Sequence, residues 1–177
     1  VDRVGGLVAS STGHAEIRPG KTRSGLLGLF HQLARADASR GAPGSAGSRL
    51  NRLLGELKHV AQADTDIVLI SDFLGADAVT REALATLSRG NRVTLYWIHD
   101  VSEIETWPGG RYALREAQGS AWLDLDDPAD QHELAQRQAG HREQIESLGS
   151  SFGIPLIPVS CNLDITAQLF QAMQFRP

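Results

Sequence analysis

The segment DIVLISDFLGAD, Asp66 to Asp77, runs from strand-forming residues straight into a carboxylate, Asp72. An aspartate in that position has three uses. It caps the loop before the next helix, acts as a reactive group, or gives a hard oxygen to Mg²⁺. Ligands of open α/β sheets bind outside the carboxyl ends of the strands. Asp72 is expected at such an end. His99-Asp100 closes the next strand-like run, NRVTLYWIHD, and would face the same rim. An imidazole and a carboxylate there could imitate an acid/base pair. Thr22 stands just ahead of a helical segment, and its hydroxyl either caps that helix or reaches a metal at the rim.

The other chemically suggestive segments have simpler readings. RPGKTRSG, Arg18 to Gly25, contains Gly20-Lys21-Thr22, but residue 15 is Ala where a phosphate loop needs Gly. DLDDPAD, Asp124 to Asp130, lacks the glycine and terminal glutamate of a calcium loop. Its acidity suits a helix N-terminus. His132 and His141 are nine residues apart, which is not the spacing of a helical metal pair. Both read as surface residues. No G-x-S-x-G occurs, and Cys161 has no local partner for nucleophilic chemistry. Trp97, Trp107 and Trp122 read as core or loop packing.

The elements that must hold these residues follow from hydrophobic period. RVGGLVAS and HAEIRP flank Ser-Thr-Gly and predict a β-hairpin, with Gly13 in its turn. Leu26, Leu29, Phe30 and Leu33 then fall at helical spacing, with Thr22 or Ser24 as cap. Asp37 to Ser48, rich in Gly, Ser and Ala, predicts a loop. Leu50, Leu53, Leu54, Leu57 and Val60 make one apolar stripe of a second helix. TDIVLISD and NRVTLYWIHD lack alternation, which predicts parallel strands buried on both faces. Between them lies a helix with Asp77 as N-cap and Gly90 as stop. RYALRE and SAWLDL form a small inserted hairpin. A surface helix follows from Pro128 to Gly149, its apolar stripe thin in the middle. IPLIPVS is an edge strand, because Pro155 and Pro158 cannot donate ladder bonds. A helix from Asp164 ends the chain. The order predicts an α/β fold, a mostly parallel sheet with helices on both faces.

The 177 residues suffice for one domain with a core, and 41% hydrophobic with 21% charged residues is ordinary for a globular protein. A net charge of −4 argues against a broad nucleic-acid surface. One cysteine excludes an intrachain disulfide and suits a reducing compartment. No apolar run reaches the roughly 18 residues of a membrane helix.

DRVGGLVAS, RPGKTRSGLLGLFHQLA, IVLISDF, VTLYWIHD and FGIPLIPVSCNLDITAQLFQ, in this order, resemble bacterial proteins of a domain-of-unknown-function family with a von Willebrand factor A-like fold. Members of that family are commonly encoded beside MoxR-type AAA+ ATPases. The resemblance implies one domain over residues 1–177 that opens at the fold's second strand, without its first strand and helix. It implies a metal-ion-dependent adhesion site in which Asp72 matches the strand-4 aspartate and Thr22 stands nearest the threonine. The D-x-S-x-S motif of that site does not occur in these residues, so a Mg²⁺ site would be complete only in a longer protein. The missing strand implies that the N-terminal hairpin pairs directly with DIVLIS or that another chain fills the gap. The function implied is a non-enzymatic, cytoplasmic adaptor or chaperone-like module with an AAA+ ATPase partner and possible homo-oligomers. The alternative is a small α/β hydrolase or phosphoryl-handling enzyme using Asp72 and His99.

Overall fold

The computed structural model describes residues 3–10, 13–38, 46–105, 107–116 and 119–174. The chain divides into two compact units, each made of two segments: Val1–Ala63 with Leu74–Arg89, and Asp64–Phe73 with Gly90–Pro177.

The first unit begins with β1 (Val4–Ser10) and β2 (Gly13–Gly20), paired antiparallel as expected. The tip of that turn lies outside the described residues. Helix α1 (Arg23–Ala38) packs on the hairpin through a face that shares only Leu29 with the expected stripe. Gly25, Gly28, Leu29, Gln32 and Ala36 are half-buried, whereas Leu26, Phe30 and Leu33 are exposed. Small residues let the backbones approach: a Cβ on Gly6 of β1 would stand 2.6 Å from Leu29 Cδ1. Helix α2 (Ala46–Val60) buries Leu54 completely. The two helices therefore shorten the expected 37–48 loop at both ends, alanines favouring the helix at each, and residues 39–45 lie outside the described set. Helix α3 (Ala78–Ser88) starts at the expected N-cap, Asp77. It ends on Arg89 in right-handed conformation, so Gly90 is not used as a left-handed stop.

Three side chains join α2 to α3. Asn51 Nδ2 donates to both carboxylate oxygens of Asp77, at 3.0 Å each. The fully buried Thr80 hydroxyl donates to Asn51 Oδ1 at 2.7 Å. Thr80 N donates to Asp77 Oδ1, and Asp77 N to Thr80 Oγ1, closing a capping box with threonine in place of glutamate.

The second unit holds a three-stranded parallel sheet ordered β3-β4-β7, formed by Asp66–Ser71, Arg92–His99 and Leu156–Ser160. The central β4 is buried along most of its length. β3 is not buried on both faces as its composition suggests: Ile67 and Leu69 are buried, while Val68 and Ile70 are 49% and 70% exposed. Among the described residues its one strand partner is β4, and β1 and β2 pair with each other in a two-stranded sheet, not with DIVLIS as one expectation had it. β7 is an edge strand among the described residues, as expected, and it contains Pro158, which cannot donate a ladder bond.

The inserted hairpin is present as β5 (Arg111–Glu116) and β6 (Gly119–Asp124), antiparallel. Helix α4 (Pro128–Ser150) buries only Ile145, Leu148 and Gly149, the one-sided pattern of a surface helix. Helix α5 (Ile165–Gln174) closes the chain. No helix among the described residues is long and apolar enough to cross a membrane.

Candidate site at the carboxyl rim of the parallel sheet

Register brings the strand ends to one level. Ser71 pairs with Trp97, and His99 with Ser160. Asp72, His99-Asp100 and Ser160 through Asn162 therefore lie along one rim, the carboxyl rim expected of Asp72. Thr22 belongs to the first unit.

Asp72 is exposed and held by its neighbours. Ser71 Oγ accepts from Phe73 N at 3.0 Å and lies 3.4 Å from Asp72 Oδ1. Phe73, 1% exposed, has φ of 52°. A bulky residue in the left-handed region costs about 1–3 kcal/mol and is kept only where the surroundings enforce it. Burial of the phenyl ring offsets that cost, and the reversed backbone ends β3 at the carboxylate. Gly75, φ 73°, completes the turn without penalty.

Asp100 is a cap. Its Oδ1 accepts from Ser102 N at 2.8 Å, and Glu103 Oε1 accepts from Asp100 N at 3.4 Å, around the 3-10 turn Val101–Glu103. Bonds from the Ser102 side chain and backbone, then Asn162 and the nearby His99, hold its carboxyl below the usual range. Asn162 Oδ1 also accepts from Val101 N at 3.0 Å, tying the ends of β4 and β7. His99 is buried, its ring centroid 4.9 Å from that of Trp97, and its Nδ1 has no hydrogen-bond partner. In a general-base histidine a second group orients the far nitrogen; among the described residues none bonds His99 Nδ1.

A family profile described as "Protein of unknown function DUF58" matches residues 1–144. The chain belongs to this family. The crystal structure of the conserved hypothetical protein BatB from Bacteroides thetaiotaomicron is similar to this DUF58 chain with a TM-score of 0.51 at 12% identity. That match covers 97% of this chain and 77% of BatB. At that identity the likeness is one of fold. No curated protein matches.

The residues singled out for a metal do not by themselves fit one. Thr22 Oγ1 accepts from Ser24 Oγ at 3.0 Å and from Gly25 N at 3.4 Å, which makes it the cap of α1. Among the described residues no three His, Cys, Asp or Glu converge. Mg²⁺ demands near-octahedral oxygen, and Asp72 with Thr22 supplies two ligands at most.

The remaining candidates of the DUF58 chain take structural places. Asp124 is bonded by Arg111 Nε at 2.8 Å and Asp127 caps α4, so the acidic cluster serves its helix and hairpin. His132 is exposed and bonded to Gln136. His141, expected at the surface, is half-buried with an unpartnered Nε2, because α4 turns that position inward one turn before Ile145. Trp97 is core, and Trp107 packs on Tyr112 at 5.1 Å. Trp122, in β6, is 75% exposed, contrary to the packing expected of it. Sequence reasoning missed the strain at Phe73, which has no local signature. It also missed Thr80, since the familiar box ends in Glu or Gln.

Proposed function

We propose that this DUF58 chain is a non-enzymatic interaction module, an adaptor or chaperone-like partner of a MoxR-type AAA+ ATPase in the cytoplasm. The observation that carries the reading is the outer edge of β3. Arg92 N donates to Thr65 O, so Thr65, Ile67 and Leu69 turn their backbone groups toward β4. By alternation Val68 and Ile70 turn theirs away. These residues also expose apolar side chains on the sheet face. A polar backbone edge beside exposed apolar side chains is what strand addition uses: main-chain bonds give affinity and side chains give specificity.

The opposite edge is guarded. Leu95 N donates to Pro155 O and Cys161 N to His99 O, so Leu156, Pro158 and Ser160 face outward on β7. Pro158 has no N–H to give. The Gln168 amide takes both backbone groups of Ser160, accepting at 2.9 Å and donating at 3.0 Å. Among the described residues, one edge of this sheet is blocked and no strand pairs with the other.

In this reading Asp72 stands at the end of the open strand and contributes one oxygen to a divalent ion, the partner bringing an acidic ligand. Calorimetry of the full-length protein with the purified ATPase, in Mg²⁺ and in EDTA, tests it. Asp72→Ala and EDTA are expected to weaken binding to the same extent. Equal affinity throughout removes the ion from the proposal, and no binding in any condition removes the adaptor role.

A further inference from the structure

Helix α1 is apolar on two sides. Gly25, Gly28 and Leu29 are half-buried on the hairpin side, yet Leu26, Leu27, Phe30 and Leu33 are between 40% and 57% exposed. A surface helix carries one apolar stripe, and a helix apolar all round is a buried one. Four large apolar side chains within about two turns also exceed the scattered exposure that needs no explanation. At about 100° per residue, Arg23, Leu27, Phe30 and Ala34 run along the line farthest from the hairpin, with Leu26 and Leu33 together on one flank. Position 37 returns to that line about four turns after Arg23.

The order of charge along that line selects the occupant. It begins with a cation, Arg23, with Lys21 just ahead of it, and the acid in the sequence of α1 is Asp37, near the end. A parallel copy of α1 would set cation against cation. An antiparallel copy sets start against end. With a two-fold axis at Phe30, position 26 stands opposite position 33 of the second copy, 27 opposite 34, and 23 opposite 37. Leu26 then meets Leu33, Leu27 meets the small Ala34, and Arg faces Asp at both ends. The helix dipoles also oppose favourably. An added strand finds no bonds here, because α1 spends its interior backbone groups within the helix. An anionic bilayer would repel a chain of net charge −4.

We propose that the outer face of α1 is a self-association surface, on which two copies of this chain pair antiparallel through Leu26, Leu27, Phe30 and Leu33, position 23 of each facing position 37 of the other. Such an interface is isologous: one patch serves both copies, and the assembly closes at two. A face one helix wide falls below the size of a standard interface, so the dimer is weak and depends on concentration. The inference stands apart from the role proposed for the edge of β3, which belongs to the other unit.

The test is sedimentation equilibrium of the full chain from about 10 μM to about 1 mM, the range of weak interfaces. The weight-average mass is expected to rise from 19.1 kDa toward twice that value. Arg23→Asp and Asp37→Arg, made singly, each set like charges opposite one another and should weaken association about tenfold. Made together they should restore it. Both changes suit the helix dipole, so thermal melts of the monomer are retained. Phe30→Glu, at an exposed position, should abolish association with its melt also retained. A monomer throughout the range, association that survives Phe30→Glu, or a double variant no tighter than either single one overturns the proposal.

Discussion

Asp72 and Asp77 stand five positions apart in one loop, yet their surroundings give them different work. Asp77 accepts from the Thr80 backbone and from Asn51, and these bonds hold its carboxyl below its ordinary value of 3.8. A depressed carboxyl stabilises the fold above its ordinary value and ceases to as pH falls through its folded value. Thermal melts at decreasing pH should therefore lose stability below 3.8. Asp77→Asn keeps a capping acceptor but cannot ionise. It should melt lower at neutral pH and show a shallower acid slope, with Asp100 and Asp124, depressed in the same direction, sustaining the rest. An unchanged slope would remove Asp77 from the acid response. The cap itself was legible, because Asp before an apolar-periodic run is a local signal. The partnership with Asn51 was not, since it joins residues 26 positions apart.

At the scale of elements, α4 carries a matched pair of glycines. A Cβ on Gly149 would stand 2.6 Å from the Ile154 carbonyl oxygen and 3.3 Å from Leu156 Cβ, whereas nothing lies within 4 Å of one on Gly140. Gly140→Ala is expected to stabilise by up to about 1 kcal/mol through helix propensity alone. Gly149→Ala should instead destabilise by about 1–3 kcal/mol, because the neighbour is backbone that cannot rotate away. Denaturant melts of the two variants give the comparison, and a stabilised Gly149→Ala would mean that the close approach is not enforced. Strand, helix and hairpin existence followed from period and turn residues. The packed face of α1 did so only in part: of the stripe Leu26, Leu29, Phe30 and Leu33, Leu29 alone is half-buried, and close backbone approach selected Gly25 and Gln32 beside it.

At the scale of the whole molecule, the chain leaves and re-enters each unit, at residues 63–64, 73–74 and 89–90. Neither unit can be excised as one continuous piece, so surface roles are best tested in the full chain. Ile70→Lys places a charge on the exposed face of the open strand, where gatekeeping lysines block strand addition. Its melting should stay within about 0.5 kcal/mol of the parent, while binding of the proposed ATPase partner is lost. Retained binding would show that this edge is not the interface. The sequence by itself determined the α/β class, the parallel strands, both hairpins and the placement of Asp72 after a strand, because those follow from side-chain period and turn chemistry within a few residues. Only the tertiary structure decided which strand is central and which edge is sealed by Gln168. Those outcomes depend on register and on partners from other segments, where competition among backbone groups, not local preference, sets the result.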